Sequence, residues 1–230
     1  GPGWARRTAY NRGQILYRLG EMLEARRAEM IDTLARFGAA RAAATREVDA
    51  ATDRLVHYAG WADKYEQVLG NVNPVASPHF NFTVTEPMGV VGVIAPDAPA
   101  LLGLISLVAP VIVSGNTVIV LASEKTPYPA VLLGEMLATS DLPGGVVNLL
   151  TGFRRELLPT FATHAHLRAI SAAASADERQ ALRLGAAESV KRVRFTELAS
   201  PADWLGAGGQ SVHAIRDFVE FKTIWHPVGA

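Results

Sequence analysis

Residues 86–152 read EPMGVVGVIAPDAPALLGLISLVAPVIVSGNTVIVLASEKTPYPAVLLGEMLATSDLPGGVVNLLTG. Gly89–Ala95 is an apolar, β-branched run halted at Pro96, the composition of a strand buried on both faces. Pro99–Ser114 is apolar nearly all round, which suits a helix covered on most sides. The turn pair Gly115-Asn116 opens a second strand, Asn116–Ala122. Thr126 as N-cap and Pro127 at the first helical position start a helix to Thr139, with Val131, Leu132, Glu135 and Met136 at helical spacing. Pro143-Gly144-Gly145 then introduces a third strand, Val146–Leu150. Strands joined through helices at this spacing require parallel pairing with right-handed crossovers. The stretch is therefore expected to form a Rossmann-like, doubly wound α/β unit.

The pattern continues on both sides. Downstream, helices near Arg155–Thr163 and Ala176–Ala187 alternate with strands at Leu167–Ser171 and Lys191–Leu198, so the sheet is expected to hold about five strands. Upstream, Ile15, Leu16, Leu19, Leu23, Met30, Ile31 and Leu34 mark one long amphipathic helix over Asn11–Phe37. Ala39–Ala44 bridges to a second helix, Arg46–Leu69, and the pair is expected to cover one sheet face. Gly70–His79 reads as a polar turn region and Pro201–Gln210 as a short connector.

Two segments far apart in sequence alternate with period two. Over His79–Thr85, Phe80, Phe82 and Val84 fall on one side and Asn81, Thr83 and Thr85 on the other. Over Phe218–Trp225, Val219, Phe221, Thr223 and Trp225 share one side, and Phe218, Glu220, Lys222 and Ile224 the other. Both suit half-buried antiparallel strands.

Composition narrows the function classes. The 230 residues carry 22 basic and 22 acidic groups, a formal net charge of zero, which gives no electrostatic case for nucleic acid or an anionic membrane. Ala100–Val113 is interrupted by Pro110 and too short for a membrane span. Cys is absent, so disulfides, thiolate metal sites and a Cys nucleophile are excluded within this chain. The six His residues offer no ligand spacing beyond His164-x-His166, and no metal site is expected.

The motifs EPMGVVGVIAP, SGNTVIVLASEKTP and LPGGVVNLLTG, in this order and with the apolar helix between the first two, resemble the cofactor domain of the aldehyde dehydrogenase superfamily. The resemblance implies N-terminal helices over residues 1–78 and a Rossmann-like cofactor domain over 86–205. It also implies a protruding oligomerisation β-flap built from 79–85 and 215–228, which in the family reaches a neighbouring subunit. Phe80, Phe82, Val84, Phe218, Phe221 and Trp225 are the interface residues it nominates. In the family a catalytic domain lies before the C-terminal flap strand; here that interval is only about Ala199 to Ile215.

Family chemistry needs a Cys nucleophile, an amide donor for the oxyanion, a carboxylate to activate water, and contacts to a nicotinamide cofactor. By resemblance, Ala98 in Pro96-Asp97-Ala98 replaces the oxyanion Asn. Glu197 in Glu197-Leu198-Ala199-Ser200 matches the general base. Glu124 is the retained ribose-binding carboxylate, while Leu121 replaces the Lys beside it. Ile170-Ser171-Ala172-Ala173 matches the pyrophosphate turn, where only the Ser171 hydroxyl remains and each Ala adds a Cβ. The expected reading is a non-catalytic module with no cofactor, NAD being the alternative through Glu124 and Ser171. Its partner would be a catalytic aldehyde dehydrogenase domain in the same or a neighbouring chain, or a second copy through the flap. The expected compartment is the cytoplasm. A third reading is a fragment of an active aldehyde dehydrogenase polypeptide.

Overall fold

Val90–Ile94, Thr117–Leu121, Val147–Leu150, Leu167–Ala172 and Arg192–Phe195, here β3 to β7, pair in parallel in the order β5-β4-β3-β6-β7. The chain is described by a computed structural model that covers residues 1–197 and 200–229. Leu198, the last residue of the expected strand Lys191–Leu198, and Ala199 of the Glu197-Leu198-Ala199-Ser200 match lie outside the described residues.

Helices α6 (Ala100–Val113) and α7 (Tyr128–Thr139) cover one face of the sheet, and α8 (Arg154–Thr163) and α9 (Ala176–Ala187) cover the other. The first face is the larger core. There α2 (Ala9–Ala25), α3 (Arg27–Arg36) and α4 (Arg41–Trp61) add a second layer, α2 and α4 over α6 and α3 over α7; α6 is buried along its whole length. The doubly wound α/β architecture is as the period pattern indicates, with helix ends within a residue or two.

The N-terminal helices differ from the expectation. The single helix over Asn11–Phe37 is two, broken at Arg26 (φ −107°, ψ 21°), and Pro2–Ala5 forms a short α1. The second helix begins earlier, at Arg41, and is interrupted after Trp61 before a five-residue α5, Tyr65–Leu69. Ala-rich sequence carries no hydrophobic stripe, yet Ala has the highest helix propensity; Ala44 is fully buried against the larger core. Pro127, rather than Thr126, is the N-cap of α7, and the Thr126 amide donates to Ser123 Oγ at 2.9 Å.

The flap is a three-stranded antiparallel sheet in the order β1-β2-β8: Asn71–Asn73, His79–Pro87 and Val219–Pro227. β1 falls where a polar turn was expected. Its Asn73 side chain donates to Asn81 Oδ1 and Thr83 Oγ1, a polar pairing that leaves no alternating hydrophobic signature. The connector is also more ordered than expected, forming α10 (Pro201–Leu205), a 3₁₀ turn (Ala207–Gly209) and α11 (Val212–Arg216).

Two buried side chains fasten this C-terminal segment. Arg54, 2% exposed, donates to Ser106 Oγ (2.8 Å) and to the carbonyls of Trp204 (2.8 Å) and Gly209, while the Trp204 ring is buried beside it. Asn116 donates to the Phe218 carbonyl at 2.7 Å and accepts from the Gly89 amide at 2.8 Å. Gly115 before it has φ +93°, a left-handed turn that Gly adopts freely.

Candidate functional site

The sheet order reverses between β3 and β6: β4 and β5 lie on one side of β3, and β6 and β7 lie on the other. In open α/β sheets ligands enter the crevice at the carboxyl ends of the strands where the order reverses. Here that crevice is bounded by Ala95–Ala98 after β3, Ser123–Thr126 after β4, Gly152–Arg154 after β5 and Ala173–Ser175 after β6.

Three carboxylates occupy the helix N-termini that begin around the crevice. Glu47 of α4 accepts from the Leu101 and Leu102 amides of α6 at 2.8 and 3.2 Å. Burial pushes its pKa up from 4.5, against the opposing pull of those two amides. Glu124 accepts from the Arg154 amide at the start of α8, at 2.7 Å. Glu178 folds back on the Ser175 amide at 2.8 Å, completing a capping box at the start of α9. Each of these termini attracts negative charge through its free amides and dipole, and each is served by the chain's own side chain. The β4–α7 loop is held the same way: Asp97 accepts from Ser123 Oγ (3.1 Å) and from the Glu124 and Lys125 amides (3.1 and 3.4 Å).

Across the middle lies Arg154. Its guanidinium donates to the Ala95 carbonyl at the end of β3, to the Ala173 carbonyl at the end of β6 (3.2 Å), and to Glu178 (3.2 Å). Its side chain is 15% exposed and that of Glu178 23%. Nothing in the residues around Arg154 marks it as a bridge between strands; Glu178, three residues after Ser175, is the legible half of the pair.

The expected site residues are placed as follows. Ala98 is exposed at the mouth and presents only a methyl group. Leu121 is fully buried in the smaller core. Ser171 is the penultimate residue of β6, 5% exposed and paired with Val93 and Arg194; alternation puts it on the same sheet face as Ala169. Glu197 is 77% exposed and held by Arg179 Nη1 at 2.7 and 3.0 Å. Among the described residues no three His, Asp or Glu side chains cluster as metal ligands, and no helix is long and apolar enough to cross a membrane.

The aldehyde dehydrogenase family model matches residues 1–201. The chain belongs to the aldehyde dehydrogenase family. It is 33% identical over 197 residues to retinal dehydrogenase 2 of Gallus gallus, and 31% identical over 196 residues to the mitochondrial aldehyde dehydrogenase of Rattus norvegicus. Each match covers 84% of this chain but only 37% of the relative. Among solved structures, an NAD-dependent benzaldehyde dehydrogenase from Corynebacterium glutamicum superposes with a TM-score of 0.77 at 28% identity, over 85% of this chain and 43% of that one. A Bacillus cereus aldehyde dehydrogenase solved with NAD+ gives 0.78 at 26% identity, over 84% and 39%. The chain thus spans under half the length of these family members.

The flap is the second candidate site. Its register puts Phe80, Phe82 and Val84 opposite His226, Ile224 and Lys222, and puts Asn81, Thr83 and Thr85 opposite Trp225, Thr223 and Phe221. Residues directly opposite share a sheet face. The aromatic residues therefore sit on both faces: Phe80 and Phe82 on one, Phe221 and Trp225 on the other. Phe80, Val84, Phe221 and Trp225 are exposed and Phe82 is half-buried. Phe218, expected at the interface, is 3% exposed and packs in the larger core, one residue before β8 begins.

Proposed function

We propose that this chain is a non-catalytic aldehyde-dehydrogenase-like module that supports a catalytic aldehyde dehydrogenase domain, or a second copy of itself, through the flap. The observation that carries this reading is the flap: a nine-residue β2–β8 ladder with exposed aromatic residues on both faces. Apolar side chains left in water on a sheet projecting from the core mark a protein-binding surface. β8 is also the outer strand of that sheet, with one row of backbone groups free to pair. The opposite holds for catalysis. The chain has no Cys, Ala98 stands at the oxyanion position, and Glu197 is committed to Arg179.

In this reading the crevice holds no nicotinamide dinucleotide. The family group does not fit the residues present: the pyrophosphate would meet Glu178 at the α9 terminus, and Arg154 bridges the strand ends. Glu124, which a nucleotide-sensing role would use for the ribose, is engaged with the α8 terminus.

Light scattering on the chain tests the assignment. A dimer is expected, falling to half its mass in the Phe82→Asp, Phe221→Asp double variant. If the double variant stays dimeric, the flap is not the contact. A second reading is favoured by the coverage of 37% of the relatives' length: the chain is one part of an active aldehyde dehydrogenase polypeptide whose other parts supply the thiol and amide. Dehydrogenase activity with NAD in the chain alone would defeat both.

A further inference from the structure

We infer that Arg154 is a plug supplied by the protein itself, which closes the crevice at the sheet's reversal point and takes over the bridging that a bound dinucleotide would otherwise provide there. This deepens, and rests on, the reading that no dinucleotide is held.

The argument begins with donors and acceptors. The carbonyls of Ala95 and Ala173 end adjacent strands at the switch point and point out of the sheet. Unpaired and partly buried, each would carry a desolvation cost. A planar guanidinium has five N–H donors in a fixed fork and reaches several acceptors at once. Arg154 uses this geometry, contacting both carbonyls and the Glu178 carboxylate. The backbone of the same residue is fixed by Glu124. One residue thereby links the ends of β3 and β6 to the starts of α8 and α9.

The charge pattern argues in the same direction. A pyrophosphate needs free amides at a helix N-terminus. Here Glu178 fills the one at α9, Glu124 the one at α8 and Glu47 the one at α6. An incoming phosphate would displace a carboxylate at each. Arg154, a cation that ordinarily attracts phosphate, is already neutralised by Glu178. The crevice is closed by complementary groups of the chain and is not merely lacking its ligands.

Amide hydrogen exchange and NAD titration, both followed residue by residue by NMR, test the plug. In the wild-type chain, NAD up to about 10 mM is expected to leave the Ala95, Ala173 and Ser175 amides unshifted. In Arg154→Ala, exchange at Ala95 and Ala173 is expected to rise at least about tenfold, while the β2–β8 amides stay unchanged. Arg154→Lys should behave like Arg154→Ala, because one ammonium cannot span two carbonyls as the fork does. Glu178→Gln, which keeps the side-chain volume, should raise Ala173 exchange by about threefold and serves if the Arg154 variants do not fold. Saturable NAD shifts at these amides in the wild type would overturn both the plug and the cofactor-free reading. A silent wild type with unchanged exchange in the variants would overturn the plug alone.

Discussion

The crevice and the flap differ in what they leave exposed: the crevice groups turn inward onto the chain's own backbone, and the flap turns aromatic rings outward. At the crevice, Asp97, Glu47, Glu124, Glu178 and Arg154 are all spent on backbone groups of the same chain. In the flap, Phe80, Phe221 and Trp225 stand in water on a sheet whose three strands are joined by the Asn73–Thr83–Thr223 contacts. A site that has lost its ligand is stable only if the freed donors and acceptors find new partners, because a buried polar group left unpaired costs about 1–3 kcal/mol. A docking surface obeys the reverse rule, since its apolar residues must stay available. On the reading proposed above, the flap is the part kept available and the crevice the part closed by the chain's own groups.

The comparison breaks most readily at the crevice wall. A Cβ on Gly103 would lie 2.2 Å from Pro96 Cγ and 2.8 Å from Cδ, and the proline ring cannot rotate aside. Gly103→Ala is therefore expected to cost about 2–3 kcal/mol, measured as a lower urea midpoint with unchanged slope. A loss below about 0.5 kcal/mol would mean that the β3–α6 loop yields easily and that the close Gly103–Pro96 approach does not fix the crevice wall.

Glu47 sharpens the same point through pH. Burial, the larger influence, raises its pKa above 4.5 in the fold, and the two α6 amides pull the other way. A raised folded-state pKa contributes stability that is complete below the unfolded value and is lost as pH rises through the folded value. Glu47→Gln abolishes this titration. The stability of the variant relative to wild type should therefore climb from about pH 4 through the raised pKa and then level off. A flat difference across that range would show that Glu47 is not desolvated as its position beside α6 implies.

How much of this was legible follows from the physics of each part. Parallel strands flanked by Pro and Gly are written in local runs such as Gly89–Ala95 and Asn116–Ala122, and all five strands fall within a few residues of their expected places. The two flap strands were legible by alternation, and so were their faces. That Phe80 and Phe82 lie on the face opposite Phe221 and Trp225 comes from the register, which no local pattern sets across 140 residues. Phe218 belongs to the core for the same reason: the strand starts at Val219 because Asn116 holds the Phe218 carbonyl. Arg54 and Arg154 were invisible as anchors. A lone Arg in a helix reads as solvated, and only tertiary structure brings carbonyls 19, 59, 150 and 155 residues away to meet it. β1 was missed because its pairing uses Asn side chains.

The flap prediction divides its two faces. Phe82→Asp and Phe221→Asp lie on opposite faces by register, and either change should cost the isolated chain no more than about 1 kcal/mol. If the partner covers one face, only one of the two should abolish assembly in light scattering. If assembly proceeds through the β8 edge, both should weaken it to a similar degree. Equal, full retention of assembly in both would return the flap to a finished sheet with no docking role.

The smallest expected effect concerns the polar contacts that join the three flap strands. Thr83 Oγ1 lies 3.2 Å from Thr223 Oγ1, and Asn73 Nδ2 donates to Thr83 at 3.0 Å, joining all three strands on one face. Cross-strand pairs of this kind contribute about 0.2–1 kcal/mol. Thr223→Ala is thus expected to lower stability by a few tenths of a kcal/mol and to raise exchange at β8 amides only, leaving Ala95 and Ala173 as in wild type. If the same variant loosens the strand ends beside Arg154, the two regions are energetically one. The division between a self-satisfied crevice and an independent flap would then have to be abandoned, since sites this far apart add independently only when no packed element couples them.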